Sequence, residues 1–255
     1  MTNQEILRTA LQQSSWDCGC RPDDFLSSEN KSVLRGENRR TRADLPLPVP
    51  GLLVSYGSNI VASINPELKE TIEWYISKYP DVHCFEPPHT AALQEKLEGL
   101  SYKVCFASEY FLPDIRLVTE YSCRYEIRLL TPEEFESCYT EEWSNALCKK
   151  RKHLDMLAAG AFLDGRLIGL AGCSADCENM YQIGVDVLPA YRRQGVAAAV
   201  TSRLASSIFR LGKVPFYCAV WSNLPSVRNA LKCGFRPAWT ELVIKEGEFV
   251  DDLNR

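Results

Sequence analysis

The 255-residue sequence is short of histidine, of long apolar runs and of basic excess, and each shortage excludes something. His83, His89 and His153 are the only histidines. They leave little material for a Ser-His-Asp relay or a histidine-based metal centre. Cys18-x-Cys20 and Cys173-x-x-x-Cys177 lack the paired CxxC spacing of zinc sites, so no metal is expected. The longest apolar run, Met156–Leu163, has eight residues, far below the ~20 that span a bilayer. No membrane partner is expected. The opening Met-Thr-Asn-Gln-Glu is polar rather than basic and then apolar, so no signal peptide is expected either. A net charge of −4 argues against nucleic acid as an obligate partner, because that binding is driven by clustered Lys and Arg. The basic run Lys149-Lys150-Arg151-Lys152 follows Glu141 and Glu142 on the same predicted helical stretch and reads as a solvated face.

What is present is an ordinary globular mixture, 45% hydrophobic and 24% charged, able to bury a core. The length corresponds to ~1.7 average domains. Charge is uneven: 13 Lys/Arg face 17 Asp/Glu in residues 1–124, whereas 16 face 16 in residues 125–255. The second part is therefore the less repulsive one toward an anionic ligand. Eleven cysteines, an odd number without an export signal, read as free and mostly buried thiols of a reducing compartment, hence a cytoplasmic protein.

Along the chain, residues 1–15 have the spacing of a short amphipathic helix, and Arg21 to Pro50 reads as an arm with little regular structure. Arg39, Arg40, Arg42, Pro46 and Pro48 lie in that arm. Leu52–Tyr56 and Ile60–Ile64 flank Gly57-Ser58-Asn59, a hairpin signal. A helix over Pro66–Tyr79, a strand over Val82–Phe85, a helix over Thr90–Leu100 and a strand over Lys103–Leu112 follow. Asp114–Arg124 is the expected linker, giving domains 1–124 and 125–255. The second begins with a strand, Tyr125–Leu130, and then Thr131-Pro132-Glu133-Glu134, a helix start with its cap. Helical structure is expected to end near Ala159. Strands over Ala161–Leu163, Leu167–Cys173 and Met180–Leu188 come next. The helix Gln194–Leu211, the strand Val214–Val220, the helix Pro225–Cys233 and a strand over Thr240–Lys245 complete the order. Residues 60–112 echo residues 180–245 in their alternation of strands and helices, so the first domain also reads as a degenerate copy of the second architecture.

The chemistry concentrates at Leu188-Pro189-Ala190-Tyr191-Arg192-Arg193-Gln194-Gly195-Val196-Ala197, between a strand and the longest helix. Unpaired N–H groups at a helix start, a glycine free to adopt unusual φ, the helix dipole and two cations suit a pyrophosphate. The same residues also fit an ordinary strand-to-helix turn with solvated arginines. Arg192-x-x-Gly195-x-Ala197, preceded by Val187, Pro189 and Tyr191, resembles the acetyl-CoA loop of the GNAT-superfamily N-acetyltransferases. Asn223 after the strand Val214–Val220, with Gly234-Phe235 eleven residues on, matches a second signature of that family. The resemblance covers roughly Tyr125 to Lys245. It implies an α/β mixed-sheet acyl-CoA N-acyltransferase fold with acetyl-CoA as cosubstrate. Backbone of Val185, Asp186 and Val187 then pairs with the pantetheine arm. N–H groups of Arg193, Gln194, Gly195, Val196, Ala197 and Ala198 hold the pyrophosphate. Asn223 contacts the arm or fixes the helix beside it, and a Val187 or Leu188 N–H serves as oxyanion donor.

The acid and base are less defined. Relatives often place a Tyr where this chain has Ala230, and some a Glu where it has Cys218. Asp186 and Tyr181 are the candidate catalytic residues. The function expected is transfer of an acetyl group to a primary amine of a small molecule or peptide, by direct attack in a ternary complex. The missing Tyr and Glu leave a catalytically impaired CoA-binding sensor as an alternative, and the tandem order leaves an aminoacyl or long-chain acyl transferase. A homodimer is an open expectation. Asn65-Pro66-Glu67 stands where a glycine loop would be needed for a second phosphate site, so one cofactor per chain is expected.

Overall fold

The computed structural model describes residues 1–36, 38–43 and 49–255; Pro46 and Pro48 of the expected arm lie outside the described residues. In chain order the elements are α1 (Asn3–Cys18), β1 (Lys31–Leu34), β2 (Gly51–Ser55), β3 (Val61–Ile64), α2 (Lys69–Lys78), α3 (Pro87–Glu98) and β4 (Tyr102–Pro113). They continue with β5 (Glu126–Leu130), α4 (Pro132–Phe135), β6 (Asp155–Leu163), β7 (Arg166–Ser174), β8 (Met180–Val187) and α5 (Val196–Arg210). The last are β9 (Val214–Ala219), α6 (Leu224–Lys232), β10 (Phe235–Glu246) and α7 (Gly247–Leu253). Strands pair both parallel and antiparallel, as the α/β mixed-sheet class requires.

The chain divides into two units, one of residues 1–9 and 111–237, the other of residues 10–110 and 238–255. In the first unit the strand order is β9-β8-β7-β6-β5. β5 to β8 form an antiparallel meander, and β8 pairs with β9 in parallel. A parallel step needs a crossover, and α5 supplies it. Val196, Val200, Leu204 and Ile208 of α5 recur at helical spacing and are buried, each removal from water contributing roughly 1.5–3 kcal/mol. They pack on the face of the sheet that carries Ala159, Ala171, Ile183 and Tyr217. By strand alternation the other face carries Ala158 and Leu170, and it is covered by Phe135, Trp143, Ala146 and Leu147. α4 starts where its cap predicts: the Thr131 N–H donates to Glu134 Oε2 at 2.8 Å.

In the second unit the order is β1-β3-β2-β10-β4. β2 and β3 form the expected antiparallel hairpin, and β10 lies antiparallel to β2. Ile72, Tyr75 and Ile76 of α2 with Leu93 and Leu97 of α3 bury against Leu53, Ile60, Ala62, Ile64, Leu242 and Ile244.

Four elements differ from the sequence expectation. Lys31–Leu34 is a strand, parallel to β3, although four residues at a sheet edge are too few for a periodic signal. Residues 81–83 form a 3-10 turn instead of a strand, between Pro80 and the proline-started α3, with the Tyr75 hydroxyl donating to the Cys84 carbonyl. Residues 155–159 open β6 rather than ending a helix, because Ala158 and Ala159 supply small side chains to opposite, fully covered faces. α7 follows β10 without having been anticipated. All eleven cysteines are free thiols and none is exposed. No helix among the described residues is long and apolar enough to cross a membrane.

Candidate functional site

The site lies within the first unit, where β8, β9 and the start of α5 meet. β8 and β9 hydrogen-bond only from Met180/Val214 to Ile183/Tyr217. β8 runs on to Val187, held on its other edge by β7 as far as Val187/Gly169. The two parallel strands therefore part after Ile183, and the free edge of β8 faces the opening. The Leu188 N–H is turned the other way, donating to the Ile168 carbonyl at 3.0 Å. It is thus engaged in the β7 ladder and is not an oxyanion donor, which corrects that expectation. Alternation along the strand points the N–H groups of Val185 and Val187 into the opening and that of Asp186 toward β7.

At the end of β8, Leu188 leads into a 3-10 turn over Pro189–Tyr191. φ then alternates in sign through the loop: −65° at Arg192, +61° at Arg193 and +83° at Gly195. Alternation into the left-handed region arranges successive N–H groups as an anion-binding concavity. It is unstrained at Gly195 and costs energy at Arg193, a cost characteristic of functional loops. The first helical bond of α5 is Ala199 N–H to Gly195 O at 3.0 Å. The N–H groups of Val196, Ala197 and Ala198 therefore precede the ladder and add the positive end of a fifteen-residue helix. Arg192 folds back, its Nε donating to the Val187 carbonyl at 3.0 Å. The Gln194 side chain is clamped at both ends, Nε2 to the Ala190 carbonyl at 2.9 Å and Oε1 accepting from Tyr125 Oη at 2.5 Å and Arg124 Nη2 at 2.6 Å. Sequence reasoning did not find Arg124 or Tyr125, because nothing in residues 121–125 hints that the segment returns to a loop seventy residues later.

Across the opening, Asn223 caps α6, its Oδ1 accepting from the Ser226 N–H at 3.3 Å. Tyr217, the last β9 residue of the ladder, shares a 2.9 Å hydroxyl–hydroxyl bond with Ser226, and burial pushes its phenol upward. Ala230 is fully buried in the core on the α5 side. Burial also pushes the Cys173 and Cys233 thiols up to about 12, so neither is a ready nucleophile.

The two candidate catalytic residues of β8 point to opposite faces. Tyr181 packs in the core under α5, its phenol raised by desolvation. Asp186 faces the covered side, where its carboxylate accepts the Asn145 N–H at 2.9 Å, the Ala146 N–H at 2.9 Å and Asn145 Nδ2 at 2.7 Å. Next to it the register pair Gly172 and Gly184 leaves the sheet bare. A Cβ at either position would overlap the carbonyl oxygen of Ala146 or Asn145, so the segment around residues 143–147 lies directly on the sheet. Beyond its end the same face shows a polar row: Asp155 beside Ser174, Ser174 beside Gln182, and Gln182 Nε2 donating to Cys218 Sγ at 3.1 Å. Asp155, its carboxyl raised by burial, accepts from Tyr139 Oη at 3.1 Å and from the Cys148 N–H at 3.0 Å. Among the described residues no cluster of His, Cys, Asp and Glu is placed to hold a metal ion.

A family model described as GNAT acetyltransferase matches residues 86–240. No curated protein matches the chain. Solved structures similar to it include a GCN5-related N-acetyltransferase-like protein from Streptococcus suis, at 22% identity and a TM-score of 0.45. That likeness covers 61% of this chain and 66% of the other, so the chain spans just under two thirds of that relative's length. An acetyltransferase of the GNAT family from Colwellia psychrerythraea is 15% identical with a TM-score of 0.46, over 76% of this chain and 81% of the other. An aminoglycoside N-acetyltransferase in complex with CoA is 18% identical with a TM-score of 0.37, over 48% of this chain and 93% of the other.

Proposed function

The chain belongs to the GNAT acetyltransferase family, and from that premise we propose that it transfers an acetyl group from acetyl-CoA to a primary amine by direct attack in a ternary complex. The observation that carries this is the parting of β8 from β9 directly beside the N–H concavity of residues 193–198. Pyrophosphate fits the concavity, and an extended pantetheine arm fits the unpaired edge of β8 at Val185 and Val187. Acetyl-CoA supplies the activated thioester; the chain's residues orient it and receive the amine. Asn223 fixes the helix flanking the arm. The Val187 N–H is the donor available to the thioester oxygen as charge develops on it. The amine enters on the face that carries Gln182 and Cys218, where amide and carboxylate oxygens suit a group with N–H to donate. Asp186 and Tyr181 remain the nearest ionisable groups of β8 itself, with Asp186 acting first as an anchor.

A second reading has a specific observation behind it: the buried alanine at 230 supplies no side-chain acid, and a thiol stands at 218 where some relatives carry a carboxylate. It makes the protein a CoA-binding sensor. Titration calorimetry with acetyl-CoA, followed by CoA release measured against a panel of small and peptide amines, separates the two. Amine-dependent release above background supports the transferase; tight binding with no release supports the sensor. Gly195→Glu, which puts a side chain and a negative charge into the concavity at φ +83°, is expected to abolish binding in both cases. One equivalent per chain is expected, since Glu67 places a carboxylate where a second phosphate loop would need N–H groups. Absence of acetyl-CoA binding would overturn both readings.

A further inference from the structure

Arg124 is placed as a cation on the rim of the phosphate loop, and nothing in the loop's own sequence accounts for it. Residues 121–125 run along the start of α5: the Tyr121 N–H donates to Ser202 Oγ at 2.9 Å, and Cys123 lies against Gly195. The Tyr125 ring meets Tyr191 edge-on at 5.8 Å. This packing fixes the Arg124 guanidinium, which sits 4.9 Å over the Tyr125 ring and donates Nη2 to Gln194 Oε1 and to Tyr125 Oη, at 2.6 and 2.7 Å. A guanidinium has five donors, and its position is set here by neutral groups. The carboxylates of the same segment are engaged elsewhere. Glu120 takes Arg203 and Arg210 of α5, and Glu126 pairs with Arg128. No carboxylate of the described residues lies within salt-bridge distance of Arg124. Of the loop's own arginines, Arg192 is turned back onto the Val187 carbonyl.

We propose that Arg124 is a donor-selecting residue: its oriented guanidinium pairs with a phosphate of CoA held by residues 193–198, and so distinguishes CoA thioesters from pantetheine thioesters that carry no phosphate. This rests on the acetyl-CoA reading above. A planar, fixed guanidinium is suited to phosphate oxygens in a way that a flexible ammonium is not. Gln194 is then a positioning residue, spending its side chain on Arg124 and Tyr125 and leaving only its N–H for the ligand.

The test is calorimetry of the full chain, wild type and Arg124→Gln, with CoA and with S-acetylpantetheine, at several salt concentrations. Arg124 is exposed, so the variant is expected to melt with the wild type. Arg124→Gln should bind CoA about tenfold more weakly, the scale of one charge-assisted contact. It should also show a flatter dependence of log Kd on log salt, while S-acetylpantetheine affinity stays as it was. Arg124→Lys should recover part of the CoA affinity. An unchanged Kd for CoA in Arg124→Gln, or equal losses for the two ligands, overturns the proposal. Wild type that binds no CoA would bring down the acetyl-CoA reading itself, before Arg124 is in question.

Discussion

Asp186 illustrates how far a single residue can be read. Strand alternation alone puts its side chain opposite to Ile183, Val185 and Val187, and the structure has it so. What alternation does not tell is that three N–H donors would meet the carboxylate, because residues 141–148 read as part of a helical stretch and nothing in them points to the sheet beside Asp186. These donors make a structural consequence explicit. Asp186→Ala leaves the part-buried Ala146 N–H without its acceptor, while the exposed Asn145 N–H turns to water, at a cost of about 1–3 kcal/mol. Urea unfolding of the variant is expected to show a lower midpoint with an unchanged m-value. A midpoint equal to that of the wild type would mean that water replaces the carboxylate without loss. The turn from β8 into α5 was legible for the opposite reason: Pro189, Gly195 and the helical run that follows are local, and local chemistry sets their backbone. The approach of Arg124 to Gln194 was not legible, since it depends on a return of the chain over seventy residues.

At the scale of elements, the seat under residues 143–147 has no signature in any one segment. Gly172 and Gly184 look like isolated glycines in two strands, which in sequence means only a weakened strand or a bulge. As register partners they open a bare place on the sheet, and Asp186 anchors what lies on it. The prediction belongs to the pair of strands. Gly184→Ala or Gly172→Ala drives a methyl into a backbone carbonyl, which cannot rotate away as a side-chain end would. Each is expected to cost about 1–3 kcal/mol or more by overpacking, read as a lower thermal midpoint. Alanine at either place without loss of stability would show that the 143–147 segment lifts from the sheet freely. α5 shows the converse. Its apolar stripe and its glycine boundaries at 195 and 212 are contained in one run of residues, so both its ends were found to within two positions.

At the scale of the whole chain, the least legible feature is the company that distant residues keep. The unit of residues 10–110 and 238–255 takes strands from both ends of the sequence, and a single cut near residue 124 is a one-dimensional account of the chain. Within that unit Arg42, from the arm read as irregular, donates Nε to Asp17 at 2.7 Å and Nη2 to Glu241 at 2.7 Å, with Tyr110 beneath it at 5.3 Å. All three charged side chains are 2% exposed. Two carboxylates share one guanidinium out of water, and desolvation together with Glu241 holds the Asp17 carboxyl above its usual range despite Arg42. The sign of the consequence follows. Above the unfolded carboxylate value of ~3.9, and up to the raised native value, the native state keeps a proton on Asp17 that the unfolded chain has lost. This group's contribution to stability therefore falls as pH rises through that interval. Asp17→Asn removes the titration but keeps the shape, so the stability advantage of wild type over Asp17→Asn should shrink as pH rises above the unfolded carboxylate value of ~3.9 in urea titrations. An advantage that grows with pH would reverse the assignment and make Asp17 an ordinary ion-paired carboxylate. Arg42→Met, by contrast, leaves two buried carboxylates without their cation, and a loss of about 3–5 kcal/mol is expected at neutral pH. Acid should restore part of it, because protonating the carboxyls removes the uncompensated charge.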